Sequence, residues 1–190
     1  VVETAFDFGA SDVLVGDSPS YPTKYVLQRS VEKVYAESGI EEAALTAGAK
    51  MYFPDRDDFV KVKINGLLRW NPLVPKTVLK ADHFINLPVM KTHHMTTVTL
   101  GIKNLHGLIH DSQKTMFHAE DIHMKLVDLL RALRPTLTLV DGTVAMEENG
   151  PAQGKSVRLD IIVASRDTVA CDAVCCALMG INPAKVEHVW

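Results

Sequence analysis

Histidine and lysine side chains are concentrated in one short part of this chain. Seven of the eight histidines lie between His83 and His123, and the segment 88–108 reads PVMKTHHMTTVTLGIKNLHGL. Imidazole carries protons and binds metal ions near neutral pH, and the lysine ammonium attracts anions. The composition of this segment therefore predicts a site for chemistry or ligand binding rather than plain scaffold.

Three side chains of this segment are the candidate catalytic residues. His93 is expected to carry a proton, and Lys91 and Lys103 are expected to hold a carboxylate or phosphate group. His118 and His93 are the candidate ligands of a divalent transition metal, nickel or iron, since imidazole suits both ions. The predicted ligand is a small anionic molecule.

Four polar residues are candidates for binding a cofactor. Asn104 follows Lys103 directly, whereas Asp17, Ser18 and Asp141 each follow a predicted strand. Ligands of open α/β sheets bind at the carboxyl ends of the strands, so parallel strands would bring these turns to one edge, where Asp17 or Asp141 could complete the metal site. Simple turn formation explains Asp17 and Asp141 equally well, because Asp-Ser-Pro and Asp-Gly are common turn sequences.

A helix is predicted to carry Lys103. Its apolar stripe consists of Val98, Ile102, Leu105 and Ile109, and the adjacent polar stripe consists of Thr99, Lys103, His106 and His110. The ten residues between His93 and Lys103 would span about 15 Å along a continuous helix, so the two share a site only across a turn. The helix is therefore predicted to begin at Thr96-Thr97.

The other histidines are interpreted more simply. His83, His110, His123 and His188 are expected to be hydrogen-bonded structural residues. Cys171, Cys175 and Cys176 lie in an apolar helix pattern and are expected to behave as buried small hydrophobic residues; the alternative pairs Cys171 with Cys175 on a metal.

Alternating strand and helix patterns predict the fold. The predicted strands are 12–15, 50–53, 82–89, 136–140 and 157–164, and the predicted helices are 1–6, 23–38, 41–47, 75–80, 121–133 and 168–180. Alternation of this kind is typical of a three-layer Rossmann-like α/β sandwich with a mostly parallel sheet. Asn65-Gly66 between apolar segments predicts a β-hairpin insertion near 59–70.

Length and composition set further limits. The 190 residues are expected to form a single α/β domain, 1–190, and the absence of a starting methionine suggests a fragment of a longer protein. A net charge of −3 without basic runs argues against a nucleic-acid partner, and no apolar stretch approaches the length of a membrane span. An odd cysteine count favours a reducing compartment, which suggests the cytoplasm.

The central motif resembles a known family. The string MKTHHMTTVTLGIKNLHG is similar to the signature of domain of unknown function 362, and GASDVLVGDSP and DTVACDAV…MGINP match the same family, so the resemblance covers most of the chain. Members often carry a ferredoxin-like iron–sulfur module. This chain has no C-x-x-C motif, so the resemblance implies that any such module lies elsewhere in the full-length protein.

A weaker resemblance concerns the order of three residues. In nickel-pincer lactate racemases a histidine is the proton-transfer base, a lysine attaches the pincer cofactor, and a later histidine binds nickel. His93, Lys103 and His118 are similar in order and nearly in spacing. Gly101-Ile102 replaces the glycine-glycine run before the lysine, which argues against covalent cofactor attachment.

Three functional hypotheses follow from these patterns. The first is an enzyme, or the ligand-binding half of one, that acts on a small anionic molecule, with a racemase-like enzyme as one form of it. The second is a non-catalytic accessory domain of an iron–sulfur redox protein. The third is structural binding of sulfate or phosphate at a helix end.

Overall fold

A computed structural model of the protein describes residues 1–20, 22–64, 66 and 70–190. They group into two compact units, Val1–Asp58 and Phe59–Trp190. The predicted α/β class is confirmed, because both units combine helices with strands. Throughout the described ranges, no helix has both the length and the apolar character needed to cross a membrane.

The first unit is built on a pair of short parallel strands. Its elements are α1 (Val2–Asp7), β1 (Leu14–Gly16), a π-helical turn (Pro22–Val26), α2 (Val31–Ser38), α3 (Ile40–Thr46), β2 (Lys50–Tyr52) and a 3-10 turn (Pro54–Arg56). Leu14 pairs with Lys50 and Gly16 with Tyr52.

The single helix predicted over 23–38 is wrong in its first half. Helix α2 begins only after Ser30, whose side chain accepts a hydrogen bond from the Lys33 amide as an N-cap. The predicted end is confirmed, because Gly39 adopts a left-handed conformation with a φ of 75°.

The second unit contains the remaining elements. They are β3 (Phe59–Lys61), β4 (Leu73–Pro75), α4 (Lys76–Lys80), β5 (Ile85–Asn86), β6 (Val89–His93), β7 (Thr97–Thr99), α5 (Gly101–Asn104), a 3-10 turn (Leu105–Leu108), α6 (Asp111–Phe117), α7 (Ile122–Leu133), β8 (Leu137–Glu147), β9 (Lys155–Ser165), α8 (Thr168–Leu178) and a 3-10 turn (Pro183–Lys185).

Strand β8 is the central strand of a mixed five-stranded sheet and pairs with three of the other strands. Antiparallel β9 lies along one of its edges, and β5 and β6 lie parallel to it along the other. Strand β7 turns back antiparallel to β6. The finer arrangement, a three-layer Rossmann-like sandwich, stays a prediction.

The antiparallel insertion near 59–70 uses a later second strand than the sequence suggests. Strand β3 pairs Phe59 with Pro75 and Lys61 with Leu73. The second strand was expected at Leu67–Trp70; Asn65 and the segment 67–69, on which that expectation depends, lie outside the described residues.

The helix predicted to begin at Thr96-Thr97 is wrong. Residues Thr97–Thr99 form β7, and the helical backbone begins at Gly101, continues for four residues as α5 and tightens into a 3-10 turn. All four residues of the predicted apolar stripe are at most 1% exposed. In a segment this buried, apolar spacing does not distinguish a strand from a helix.

Candidate functional site

Strand β6, which a tight turn joins to β7, carries two of the predicted site residues. Lys91 pairs with Thr99 and His93 with Thr97, and side chains two residues apart on a strand point to the same face. Lys91 is half-buried, and His93 is 8% exposed. The exposed His94 stacks on His93 with ring centroids 4.8 Å apart.

Hydrogen bonds fix the tautomer of His93. The amides of Met95 and Thr96 donate to its Nδ1 at 3.1 Å and 3.4 Å, so Nδ1 is an acceptor and the ring hydrogen lies on Nε2. Burial, followed by the charge of Lys103, lowers the pKa of His93 to about 3. His93 is therefore a neutral N–H donor, which does not suit the predicted role of metal ligand, because a ligand nitrogen must offer its lone pair.

Helix α5 is held in place by a carboxylate from α8. Asp172 accepts hydrogen bonds from the amides of Gly101 at 2.7 Å and Ile102 at 2.8 Å, which satisfies two of the free amides that begin the helix. Burial raises the pKa of Asp172 to about 7, against the two amide hydrogen bonds that lower it.

Gly101 is required by the close approach of its neighbours. A Cβ atom there would lie 2.7 Å from Thr168 Cγ2, 2.8 Å from Thr138 Cγ2 and 2.9 Å from Asp172 Oδ1. The hydroxyls of Thr138 and Thr168 are 2.9 Å apart and hydrogen-bonded to each other. Any larger residue at Gly101 would push α5 away from the sheet and from α8.

Two asparagines connect α5 to β5. Asn86 Nδ2 donates to the Gly101 carbonyl at 2.8 Å, and Asn104 Nδ2 donates to Asn86 Oδ1 at 2.8 Å. Asn104, a predicted cofactor-binding residue, thus has a local hydrogen-bonding role on α5. Hydrogen bonds hold α5 to α8 on one side and to β5 on the other. They thereby fix the position of the Lys103 backbone.

Lys103 is a buried ammonium with no counter-ion among the residues that the structure describes. The residue is only 6% exposed, and no hydrogen bond or ion pair joins its side chain to any other residue in the described part of the chain. Burial, with a smaller effect from the charge of Lys91, lowers the pKa of Lys103 to about 8. At neutral pH the Lys103 side chain therefore carries a positive charge that no acidic group in the described part of the chain pairs with.

His118 and His106 form the opposite part of the site. His118 Nδ1 lies 3.0 Å from the Lys114 carbonyl, which can only accept, so the ring hydrogen is on Nδ1 and Nε2 keeps a lone pair. The His106 ring meets the His118 ring edge to face at 4.5 Å. His106 Nε2 is buried and has no hydrogen-bond partner among the described residues.

Electrostatic effects show that these groups are neighbours. The charge of Lys103 contributes to lowering the pKa of His93, of His106 and of His118, in each case after burial itself. His118 in turn acts on the pKa of His93 and of His106. His106 and His118 are in ring contact, and the charge effects indicate that Lys103 and His93 lie near them, with Lys91 close to Lys103. That these side chains line one ligand site stays a prediction.

Three other predicted residues have local hydrogen-bond partners. Asp141 is exposed on β8 and accepts from the Thr143 amide at 2.8 Å and hydroxyl at 2.7 Å, a local turn interaction. Asp17 and Ser18 belong to the first unit, where the Ser18 hydroxyl donates to Asp55 at 2.7 Å.

No metal centre is evident in the described ranges. Within them, no three His, Cys, Asp or Glu side chains are grouped closely enough to hold an ion. His118 Nε2 has a free lone pair, as a metal ligand requires. Its Nδ1–H donates to a backbone carbonyl, which is a common arrangement in metal-binding histidines. A nickel or iron ion at His118 stays a prediction.

Sequence reasoning missed Asp172 and Asn86. Asp172 follows Gly101 by 71 residues, and Asn86 precedes it by 15. One signal pointed to Asp172: it is a carboxylate within the otherwise apolar run VACDAVCCAL, and buried aspartates are rare unless paired. Asn86 had no comparable signal.

This chain matches a known protein family. Residues 1–177 match the family described as Domain of unknown function (DUF362), and the chain is a member of that family. The resemblance noted from the central motif is thereby confirmed. The similarity to nickel-pincer lactate racemases stays a prediction.

One curated relative is the Thylakoid-associated protein sll1697 of Synechocystis sp. (strain ATCC 27184 / PCC 6803 / Kazusa). It is 28% identical over 178 residues, which cover 90% of this chain and 52% of the relative. The chain therefore spans about half the length of this relative. The expected cytoplasmic location stays a prediction.

Proposed function

We propose that this domain binds a small oxyanion at the Lys103 site. The observation that carries the proposal is the buried Lys103 ammonium, for which the described ranges 1–20, 22–64, 66 and 70–190 provide no counter-ion. Buried charges in proteins are normally paired, because an isolated charge away from water is strongly destabilising. An anionic ligand is the natural partner for this charge, and Lys91 adds to the positive potential.

The hydrogen-bonding groups narrow the class of ligand. Lys103 and the His93 Nε2–H are donors, whereas His118 Nε2 is an acceptor. A ligand that complements all three offers anionic oxygens to the donors and an O–H group to His118. Hydrogen phosphate has both features and is therefore the first probe.

If the domain is catalytic, the same tautomers predict the roles of His118 and His93. His118 has the free lone pair of a general base, and His93 has the N–H of a donor to a developing negative charge. This differs from the expectation that His93 moves the proton. An accessory role beside an iron–sulfur module stays a hypothesis for the full-length protein.

Binding of inorganic phosphate by isothermal titration calorimetry tests the proposal. We expect Lys103→Met to weaken binding by at least about tenfold, because a hydrogen bond to a charged group contributes roughly 1.5–3 kcal/mol. The matched control is Lys80→Met, which removes an exposed ammonium at the end of α4 and should bind as the wild type does. Equal binding by Lys103→Met and wild type would reject the site.

A further inference from the structure

His188 is a buried imidazole that stacks on His123. It is 3% exposed, and its Nε2 is buried without a hydrogen-bond partner in the described structure. Its Nδ1 lies 2.9 Å from Nδ1 of His123, and the two rings stack with centroids 5.1 Å apart. A structural histidine would be expected to use both ring nitrogens.

His188 and Lys103 belong to neighbouring elements of the second unit. Burial, followed by the charges of His123 and then Lys103, lowers the pKa of His188 to about 4. His123 is in the first turn of α7, which packs on the 3-10 turn that carries His106. His188 follows the last 3-10 turn, which packs on α8, the helix that carries Asp172.

We propose that His188 is a further ligand-contacting residue of the Lys103 site and that His123 selects its tautomer. This inference rests on the proposed oxyanion binding. Two Nδ1 atoms at hydrogen-bond distance share one hydrogen, so one ring donates and the other accepts. When His123 donates, His188 Nδ1 accepts and the hydrogen of His188 is on Nε2, the nitrogen without a partner.

Oxyanion binding favours this arrangement over the alternative. With His188 as the donor at Nδ1, its Nε2 would present a lone pair, which repels an anionic oxygen. With His123 as the donor, His188 adds an N–H donor to those of Lys103 and His93. In this change the shared hydrogen moves to His123 Nδ1, the half-buried His123 releases its Nε2 hydrogen to water, and dihydrogen phosphate supplies the hydrogen that His188 Nε2 gains. The net number of protons on the pair is unchanged.

The direct test is nitrogen-15 NMR of the histidine rings in the wild-type full domain. Two-bond proton–nitrogen spectra distinguish a protonated ring nitrogen from one with a lone pair. On saturation with inorganic phosphate, we expect His188 to show a protonated Nε2 and an unprotonated Nδ1. A His188 ring that shows the opposite tautomer with phosphate bound would overturn the inference.

Paired variants supply a second measurement. In His188→Gln the side-chain amide keeps an N–H near the position of Nε2, whereas in His188→Asn it reaches only the position of Nδ1. We expect phosphate to bind His188→Asn at least about tenfold more weakly than wild type, and His188→Gln within about threefold. Wild-type affinity in His188→Asn would overturn the inference.

The phosphate-binding measurements distinguish a wrong role for His188 from a wrong proposed function. If Lys103→Met loses phosphate binding while His188→Asn retains it, only the role of His188 is wrong. If the wild-type protein does not bind phosphate, both proposals are wrong.

Discussion

At the scale of single residues, the Lys103 ammonium destabilises the ligand-free fold and supplies the charge that we propose binds the ligand. Its lowered pKa, about 8 in the folded protein, means that folding favours the neutral amine. Below pH 8 the charged side chain destabilises the fold, by about 3 kcal/mol relative to an ordinary lysine, because each pKa unit corresponds to about 1.4 kcal/mol. A residue kept at this cost is better explained by a ligand than by packing.

We therefore predict that Lys103→Met raises the free energy of unfolding of the ligand-free protein by about 2–3 kcal/mol at pH 7. The gain should shrink as the pH rises from 8 towards 10.5, as the wild-type amine becomes neutral in both states. Urea unfolding measures both effects. The matched control is Lys114→Met, at another buried lysine that forms a 2.9 Å ion pair with Asp111, and it should be destabilised. Destabilisation of Lys103→Met as well would contradict the prediction.

At the scale of elements, the site depends on how α8 holds α5. Helix α5 has only four residues, too few to be stable alone, and Asp172 satisfies its first two amides from a different helix. In Asp172→Asn one carboxylate oxygen becomes an NH₂ group that faces an amide N–H. We predict a loss of about 2 kcal/mol in the free energy of unfolding, with faster hydrogen exchange at Gly101 and Ile102.

Asp167→Asn is the control for this substitution. Asp167 caps its own helix, α8, by accepting from the amides of Val169 and Ala170, and asparagine is an equally good N-cap. Its unfolding free energy should stay within a few tenths of a kcal/mol of wild type. If Asp172→Asn is equally mild, the carboxylate does not hold α5.

At the scale of the whole molecule, acid sensitivity belongs to the second unit. All eight histidines lie after Asp58, and burial lowers the pKa of His93 to about 3, of His106 to about 2 and of His188 to about 4. The unfolded chain takes up protons at these residues below about pH 6.5, whereas the folded chain does not. Their stabilising effect is present above pH 6.5 and is lost as the pH falls towards the folded pKa values.

Asp172 acts in the opposite direction, because its raised pKa of about 7 makes the folded state bind a proton that the unfolded state binds only near pH 4. From His93, His106, His188 and Asp172, unfolding therefore takes up about 1.7 net protons between pH 6 and 5, and we predict that the free energy of unfolding falls by about 2.3 kcal/mol per pH unit. His106→Phe should reduce this slope by about 1.4 kcal/mol per pH unit. His83→Gln, at an exposed position, is the control; an unchanged slope in His106→Phe would contradict the prediction.

The α/β class, the position of most elements and the segment that holds the candidate site could be predicted from the amino-acid sequence alone. These features depend on local signals: the caps Gly39 and Asp167 belong to neighbouring backbone, and the periodicity of α7 and α8 reflects one buried face. Even the turn between His93 and Lys103 followed from spacing. The strand at Thr97–Thr99 did not, because burial on several sides removes the periodic signal.

The long-range contacts of the candidate site and the tautomers of its histidines could not be predicted from the sequence, because they depend on how distant segments pack. Asp172 reaches Gly101, and His188 reaches His123, across 71 and 65 residues, and no local pattern encodes such contacts. The tautomers of His93 and His118 depend on whether a backbone amide or a backbone carbonyl faces Nδ1. That no described residue is a counter-ion of Lys103 is likewise a property of its three-dimensional surroundings, since the charge of a buried group depends on the groups packed around it.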